Sequence, residues 1–141
     1  MSDDSKTQIL KVATRLFARR GDDGTSLQSI ADEVGMAKPS LLYHFSSKEL
    51  LRDAVLRQLV AGWKTGFPEV LAAAQGPEDR FAALFTEAAD FFRADPNRAR
   101  LILREMVDRP RATRKLVGDA VAPWLPLVIR SLEDGKAHGR V

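Results

Sequence analysis

The chain has 141 residues, 45% of them hydrophobic and 29% charged. That is enough apolar material for one ordinary domain, or a small domain with an attached bundle, and too little for a large modular machine. The longest apolar stretch, Val121 to Ile129, is broken by Pro123 and Pro126 and falls far short of the ~20 residues that cross a bilayer. The opening Met-Ser-Asp-Asp-Ser-Lys lacks the basic-then-apolar order of a secretory signal, so neither a membrane span nor a leader is expected. The absence of cysteine excludes disulfides and thiolate metal sites and fits a cytoplasmic location. The net charge of +3 is too small by itself to argue for a polyanionic partner, but it is unevenly spread: residues 1–58 carry nine basic and eight acidic side chains, residues 93–115 eight and three.

Ala and Leu together supply 36 residues, both are strong helix formers, and alternating β-branched runs are absent, so an all-α fold is expected. Ile9, Ala13, Leu16 and Phe17 recur at the spacing of one helical face. Ser5 with Gln8 offers a capping-box start and Gly21 a stop, which predicts a first helix over about Lys6 to Arg20. Leu27, Ile30, Ala31 and Val34 mark a second, two-turn helix opened by Thr25 with Gln28 and closed by Gly35. A third short helix starts near Lys38-Pro39, where proline gives up only an amide that would be unpaired, and ends at about His44. Ser46 with Glu49 caps a long helix towards Trp63. Gly66-Phe67-Pro68 and Gly76-Pro77 then punctuate the chain before an amphipathic helix carrying Phe81, Leu84, Phe85, Ala88 and Phe92. Asp95-Pro96 opens the next, with Leu103, Met106 and Val107 as its apolar side, and two further helices are expected over Ala112 to Val121 and from about Trp124 to Gly135.

Two short helices joined by Gly35-Met36-Ala37 and braced by a longer one satisfy the geometry of a helix-turn-helix, the second short helix being the one that reads. A helix working in the major groove needs a polar or small outer edge and an anchored inner one. Lys38, Ser40, Tyr43 and His44 supply the first, Leu41 and Phe45 the second. Over Ile9 to Val55 the sequence carries Leu-Phe before Gly, Thr-Ser before an apolar residue, Ile-Ala, Val-Gly, Lys-x-Ser-Leu, Tyr-His-Phe and Ser-Lys-Glu in order. At that fixed spacing it resembles the tetracycline-repressor (TetR) family of bacterial regulators across a third of its length.

The resemblance implies roles at matching positions. Thr25, Ser26 and Lys48 would contact phosphates, Gln28 a base edge, and Lys38, Pro39, Ser40, Tyr43 and His44 bases and backbone, with Pro39 and the Tyr43 ring against a thymine methyl. Leu42 departs from the pattern, standing where many members carry tyrosine. Each residue also has a plainer role: Thr25 and Ser46 as helix caps, Lys38 and Lys48 as solvated lysines, His44 as a rim histidine far in sequence from His138 and so a poor metal or catalytic candidate. The near-neutral charge of residues 1–58 stands against the counterion release on which DNA affinity depends, unless the acids lie away from the third helix.

The family resemblance further implies a reading domain over residues 1–50 and a helical effector-binding and dimerisation domain over 51–141. The latter is expected to be shortened at Val141, leaving an apolar patch uncovered, or to pair differently. Trp63, Phe67, Phe85, Phe92, Met106 and Trp124 are candidates to line a pocket for a hydrophobic or aromatic effector, and equally candidates for plain core. The arginine run Arg93, Arg98, Arg100, Arg104, Arg109, Arg111 and Arg114 reads either as an anion-binding surface or as a solvated face. The expected protein is a homodimeric regulator of double-stranded operator DNA, most simply a repressor. It is expected to be no enzyme, with neither cofactor nor metal; the competing class is a helical interaction module that keeps the fold without DNA binding.

Overall fold

The computed structural model describes residues 2–137 and Gly139; the expectations on His138 and on the closing Arg140-Val141 lie outside them. The described residues contain eight helices: α1 (Ser2–Arg20), α2 (Leu27–Val34), α3 (Lys38–His44), α4 (Lys48–Ala73), α5 (Pro77–Ala94), α6 (Pro96–Asp108), α7 (Pro110–Val121) and α8 (Leu125–Ala137). They group into two compact units, Met1–Leu59 with Pro96–Pro110, and Val60–Asp95 with Arg111–Val141.

In the first unit the periodic residues of α1 do what their spacing requires. Ile9, Ala13, Leu16 and Phe17 are buried, joined by Ile30 and Ala31 of α2, Leu41 of α3, and Leu51 and Val55 of α4. Each large side chain fully removed from water contributes about 1.5–3 kcal/mol, which is how elements as short as α2 and α3 hold their shape. Gly21 and Gly35 end α1 and α2 in the left-handed region, at φ 75° and 85°, where a side chain would be strained.

Two predicted caps move by one residue. α2 is capped by Ser26, whose Oγ accepts from the Ser29 amide at 3.0 Å while Ser29 Oγ accepts from the Ser26 amide. Its neighbour Thr25 is buried instead. α4 is capped by Ser47, whose Oγ accepts from the Leu50 amide at 3.1 Å, rather than by Ser46. α1 starts at Ser2, so Ser5 lies within the helix and caps nothing.

α6 lies against α1 with a face other than the expected one. Leu101 and Glu105 are buried, whereas Leu103, Met106 and Val107 are exposed. The inward carboxylate is tolerable because Arg109 Nε donates to Glu105 Oε2 at 2.9 Å, and Arg109 also reaches Asp53 of α4 at 3.6 Å.

In the second unit α4 runs through Gly66-Phe67-Pro68 to Ala73 instead of stopping there. An interior proline costs a helix about 3 kcal/mol, and here Phe67 and Leu71, on the turn around it, bury against Trp124 with Leu84, Ala88, Val121 and Val128 packed outside them. That burial offsets the missing hydrogen bond.

Candidate nucleic-acid interface

α3 is held from within and bare outside. Leu41 is fully buried and Phe45, its C-cap, nearly so, with the Phe45 amide donating to Leu41 O at 2.9 Å. Pro39 sits in the first turn, which needs no amide there. On the outer edge Lys38, Pro39, Ser40 and Leu42 are exposed, and Tyr43 is 85% exposed. His44 is half-buried and meets the Tyr43 ring edge-on at 5.4 Å, which limits the tyrosine's freedom without covering it. A phenol left in water on a short rigid helix gains nothing for folding, so its surroundings mark it as available to another molecule.

The remaining residues singled out from the sequence divide. Ser26 is exposed at the mouth of α2, and Gln28, also exposed, donates from Nε2 to Asp32 Oδ1 at 2.8 Å one turn on. Thr25 faces inward at 2% exposure, and its hydroxyl lies 2.7 Å from Gly21 O and 3.2 Å from Leu16 O. Its hydrogen is therefore committed to the α1–α2 turn. Lys48 is likewise engaged: its Nζ donates to Asp22 O at 2.9 Å and Thr25 O at 3.2 Å, with the Asp22 carboxylate at 3.7 Å. Arg52 closes on the same carboxylate at 2.8 Å. The start of α4 is thereby strapped to the turn that carries α2. Sequence reasoning passed over Asp22 and Arg52, because neither belongs to a pattern; only their meeting at the turn shows what they do.

Part of the acidic charge of this unit is held in pairs away from α3. Asp22 is paired with Lys48 and Arg52, Glu33 with Arg15, and Asp53 with Arg109, while Asp32 accepts from Gln28. α3 itself contains no acid. Three of the eight acids of residues 1–58 thus stand in ion pairs and a fourth is hydrogen-bonded, and the edge that carries Lys38 has no acid of its own.

The aromatic candidates for a pocket do not converge on one cavity. Trp63, Phe67, Phe92 and Trp124 gather with Phe91 in one cluster, with ring centroids 4.9–6.4 Å apart. Phe67 and Trp124 are core there, and the buried Nε1 atoms of Trp63 and Trp124 find no acceptor among the described residues. Phe85 instead lines a groove of about 540 Å³ between α5 and α8, with Phe81, Leu84, Leu132 and the Arg80 and Glu78 side chains. Met106 belongs to α6 of the first unit and is exposed. Among the described residues no group of three His, Cys, Asp or Glu is placed to hold a metal, and no helix is long and apolar enough to cross a membrane.

A short anchored helix presented outward after a tight turn, braced by a longer one, defines a helix-turn-helix protein. The family description that fits it is bacterial regulatory proteins of the tetR family, matched over residues 9–55. The regulator RutR of Escherichia coli K12 is 34% identical over 121 residues, 83% of this chain and 55% of its own. A transcriptional regulator of the TetR/AcrR family from Thermobifida fusca is 31% identical, with 98% of this chain and 73% of that one superposed at a TM-score of 0.64. FadR from Bacillus subtilis, solved in complex with stearoyl-CoA, shares the fold at 17% identity and a TM-score of 0.76, over 96% of this chain and 73% of that one. The chain belongs to the TetR family. It spans about half the length of the curated relatives it matches.

Proposed function

We propose that this protein is a sequence-specific DNA-binding transcriptional regulator, a repressor that works as a homodimer in the cytoplasm and leaves its operator when a hydrophobic small molecule binds. The observation that carries the reading is the outer edge of α3, where Lys38, Ser40 and Tyr43 stand exposed on a helix fixed by Leu41 and Phe45. Residues 1–50 form the reading head. α3 enters the major groove, with Tyr43 and Pro39 meeting a thymine methyl and Lys38 and Ser40 meeting base edges or phosphates, His44 beside them. Ser26 and the open first-turn amides of α2 take a phosphate, and Gln28 exchanges its bond to Asp32 for a base edge.

Residues 51–141 supply the effector and dimer functions. The groove between α5 and α8 supports the effector assignment: it is walled by Phe81, Phe85 and Leu132, and its floor residues Leu84, Ala88 and Val128 pack onto the Phe67–Trp124 core. A ligand held there regulates only if it binds the DNA-free form more tightly than the DNA-bound form.

The test is a fluorescence-anisotropy titration of the protein against upstream DNA from its own locus, repeated with Tyr43→Ala. The reading requires tight binding that falls steeply between roughly 50 and 200 mM salt and is clearly weakened in the variant. Binding that is indifferent to salt, or that survives Tyr43→Ala unchanged, removes α3 from the interface.

A further inference from the structure

The arginine run of residues 93–115 is not one surface. Arg109 turns inward to Glu105 and Asp53. Arg100 and Arg104 instead join Arg19 of α1 around a shallow groove of about 650 Å³ between α1 and α6, whose remaining walls are Ala18, Leu103, Val107 and Asp108. Arg104 lies across the end of α1, where the lack of a side chain at Gly21 makes room for it: a Cβ there would sit 2.9 Å from its Nη1. None of the three guanidinium groups has a carboxylate within ion-pairing distance among the described residues.

Beside these charges, Leu103, Met106 and Val107 form an apolar ridge on successive turns of α6. Leu103 is 66% and Val107 80% exposed, although α6 already buries a different side against α1. A helix that has satisfied its own core and still shows a second apolar stripe rimmed by unpaired cations has the composition of a recognition surface, an apolar centre with a charged margin.

We propose that this groove docks an amphipathic helix of a partner protein whose apolar face is flanked by Asp and Glu. Charge complementarity selects that occupant. Placed face to face, two copies of the groove would set three guanidinium groups against three, a like-charge contact. A nucleic acid would satisfy the arginines but leave Leu103 and Val107 in water. Only a segment with both features covers the ridge and neutralises Arg19, Arg100 and Arg104 together, with Asp108 disfavouring acids at its own end of the groove. This surface is separate from the α3 edge and does not depend on the DNA-binding proposal.

The experiment uses the whole chain and two labelled synthetic peptides of about 16 residues, roughly four helical turns. They share one leucine face and differ only in glutamate or lysine flanks. The glutamate peptide is expected to bind saturably, and about tenfold or more tighter than the lysine peptide. Arg100→Glu with Arg104→Glu should weaken it by a similar factor, as should Leu103→Ser with Val107→Ser. Both double variants change exposed positions, so their melting curves should overlay that of the parent. Failure of the glutamate peptide to bind saturably overturns the proposal, as does binding that both variants retain. Competition by duplex DNA that responds to the arginine changes but not to the Leu103 and Val107 changes would make the groove a nucleic-acid surface. A change in self-association with no peptide binding would make it a contact between copies.

Discussion

Replacing Lys48 by alanine separates two roles that the same lysine could have. As a phosphate clamp it would contribute one counterion to DNA binding and almost nothing to the fold. In the structure its ammonium group gives hydrogen bonds to Asp22 O and Thr25 O, 2.9 and 3.2 Å away, and faces the Asp22 carboxylate at 3.7 Å, with the side chain 35% exposed. A hydrogen bond from a charged group is worth about 1.5–3 kcal/mol in a dry site. Exposure of this size lets water take over part of each bond and screens the ion pair, which brings the net loss for the pair of bonds to about 1–2 kcal/mol. For a chain of this length that is a fall in melting temperature of roughly 3–6 °C. DNA affinity should also drop, because the turn carrying α2 loosens, but the slope of log K against log salt should stay within about 0.3 of the parent, since no phosphate contact is removed. Thermal melting and anisotropy titrations at several salt concentrations give both numbers. A slope smaller by about 0.9 with an unchanged melting temperature would mean that Lys48 spends its charge on DNA, and the strap would have to be abandoned.

Four other outcomes follow from the same contacts. Tyr43→Ala should leave stability within about 0.5 kcal/mol, as an exposed substitution does, while weakening operator binding by about 1–3 kcal/mol, read by melting and anisotropy together. Thr25→Val keeps the shape but removes the single hydroxyl hydrogen that Gly21 O and Leu16 O share and should cost about 1–2 kcal/mol in urea unfolding, with Thr25→Ser restoring most of it. Arg109→Leu removes the cation beside Glu105, which is 3% exposed, and should destabilise by about 2–4 kcal/mol; a near-neutral result would mean that the burial of Glu105 does not depend on this pair. Trp124→Phe discards a buried indole N–H that finds no acceptor among the described residues and should cost less than about 1.5 kcal/mol, whereas Trp124→Ala should cost about 3–5 kcal/mol.

The parts of the fold legible in the sequence are those fixed within a few residues. The bounds of α3, the glycine stops at Gly21 and Gly35 and the inward faces of α1 and α2 all follow from spacing and from residues whose conformational demands are local. The misplaced caps show where that ends. Thr25-Ser26 and Ser46-Ser47 are doublets in which either hydroxyl could cap, and the choice at the first is made by Leu16 O and Gly21 O, which draw Thr25 inward from another helix. α6 makes the same point more sharply. Its strongest apolar stripe, Leu103, Met106 and Val107, reads as the core face, yet the face that packs carries a glutamate, which pairs with Arg109, itself also reaching Asp53 of α4. Periodicity ranks faces by hydrophobicity alone and does not register that an arginine one turn on can carry a carboxylate inward.

The same limit governs the functional residues. Tyr43 is legible because exposure is the default for that edge once Leu41 and Phe45 are anchored. Thr25 and Lys48 sit at matching positions in the family pattern, and yet both are bound into the scaffold beneath the reading helix. A position that recurs near an interface can serve it in two ways, by touching the partner or by holding still the residues that do. At α3, a helix of seven residues too short to persist alone, the second is the greater need. Rigidity there comes from Leu41 and Phe45 below and from the Asp22–Lys48–Arg52 strap behind, so that, for the proposed DNA contact, an exposed tyrosine and lysine are already in place rather than needing to be ordered.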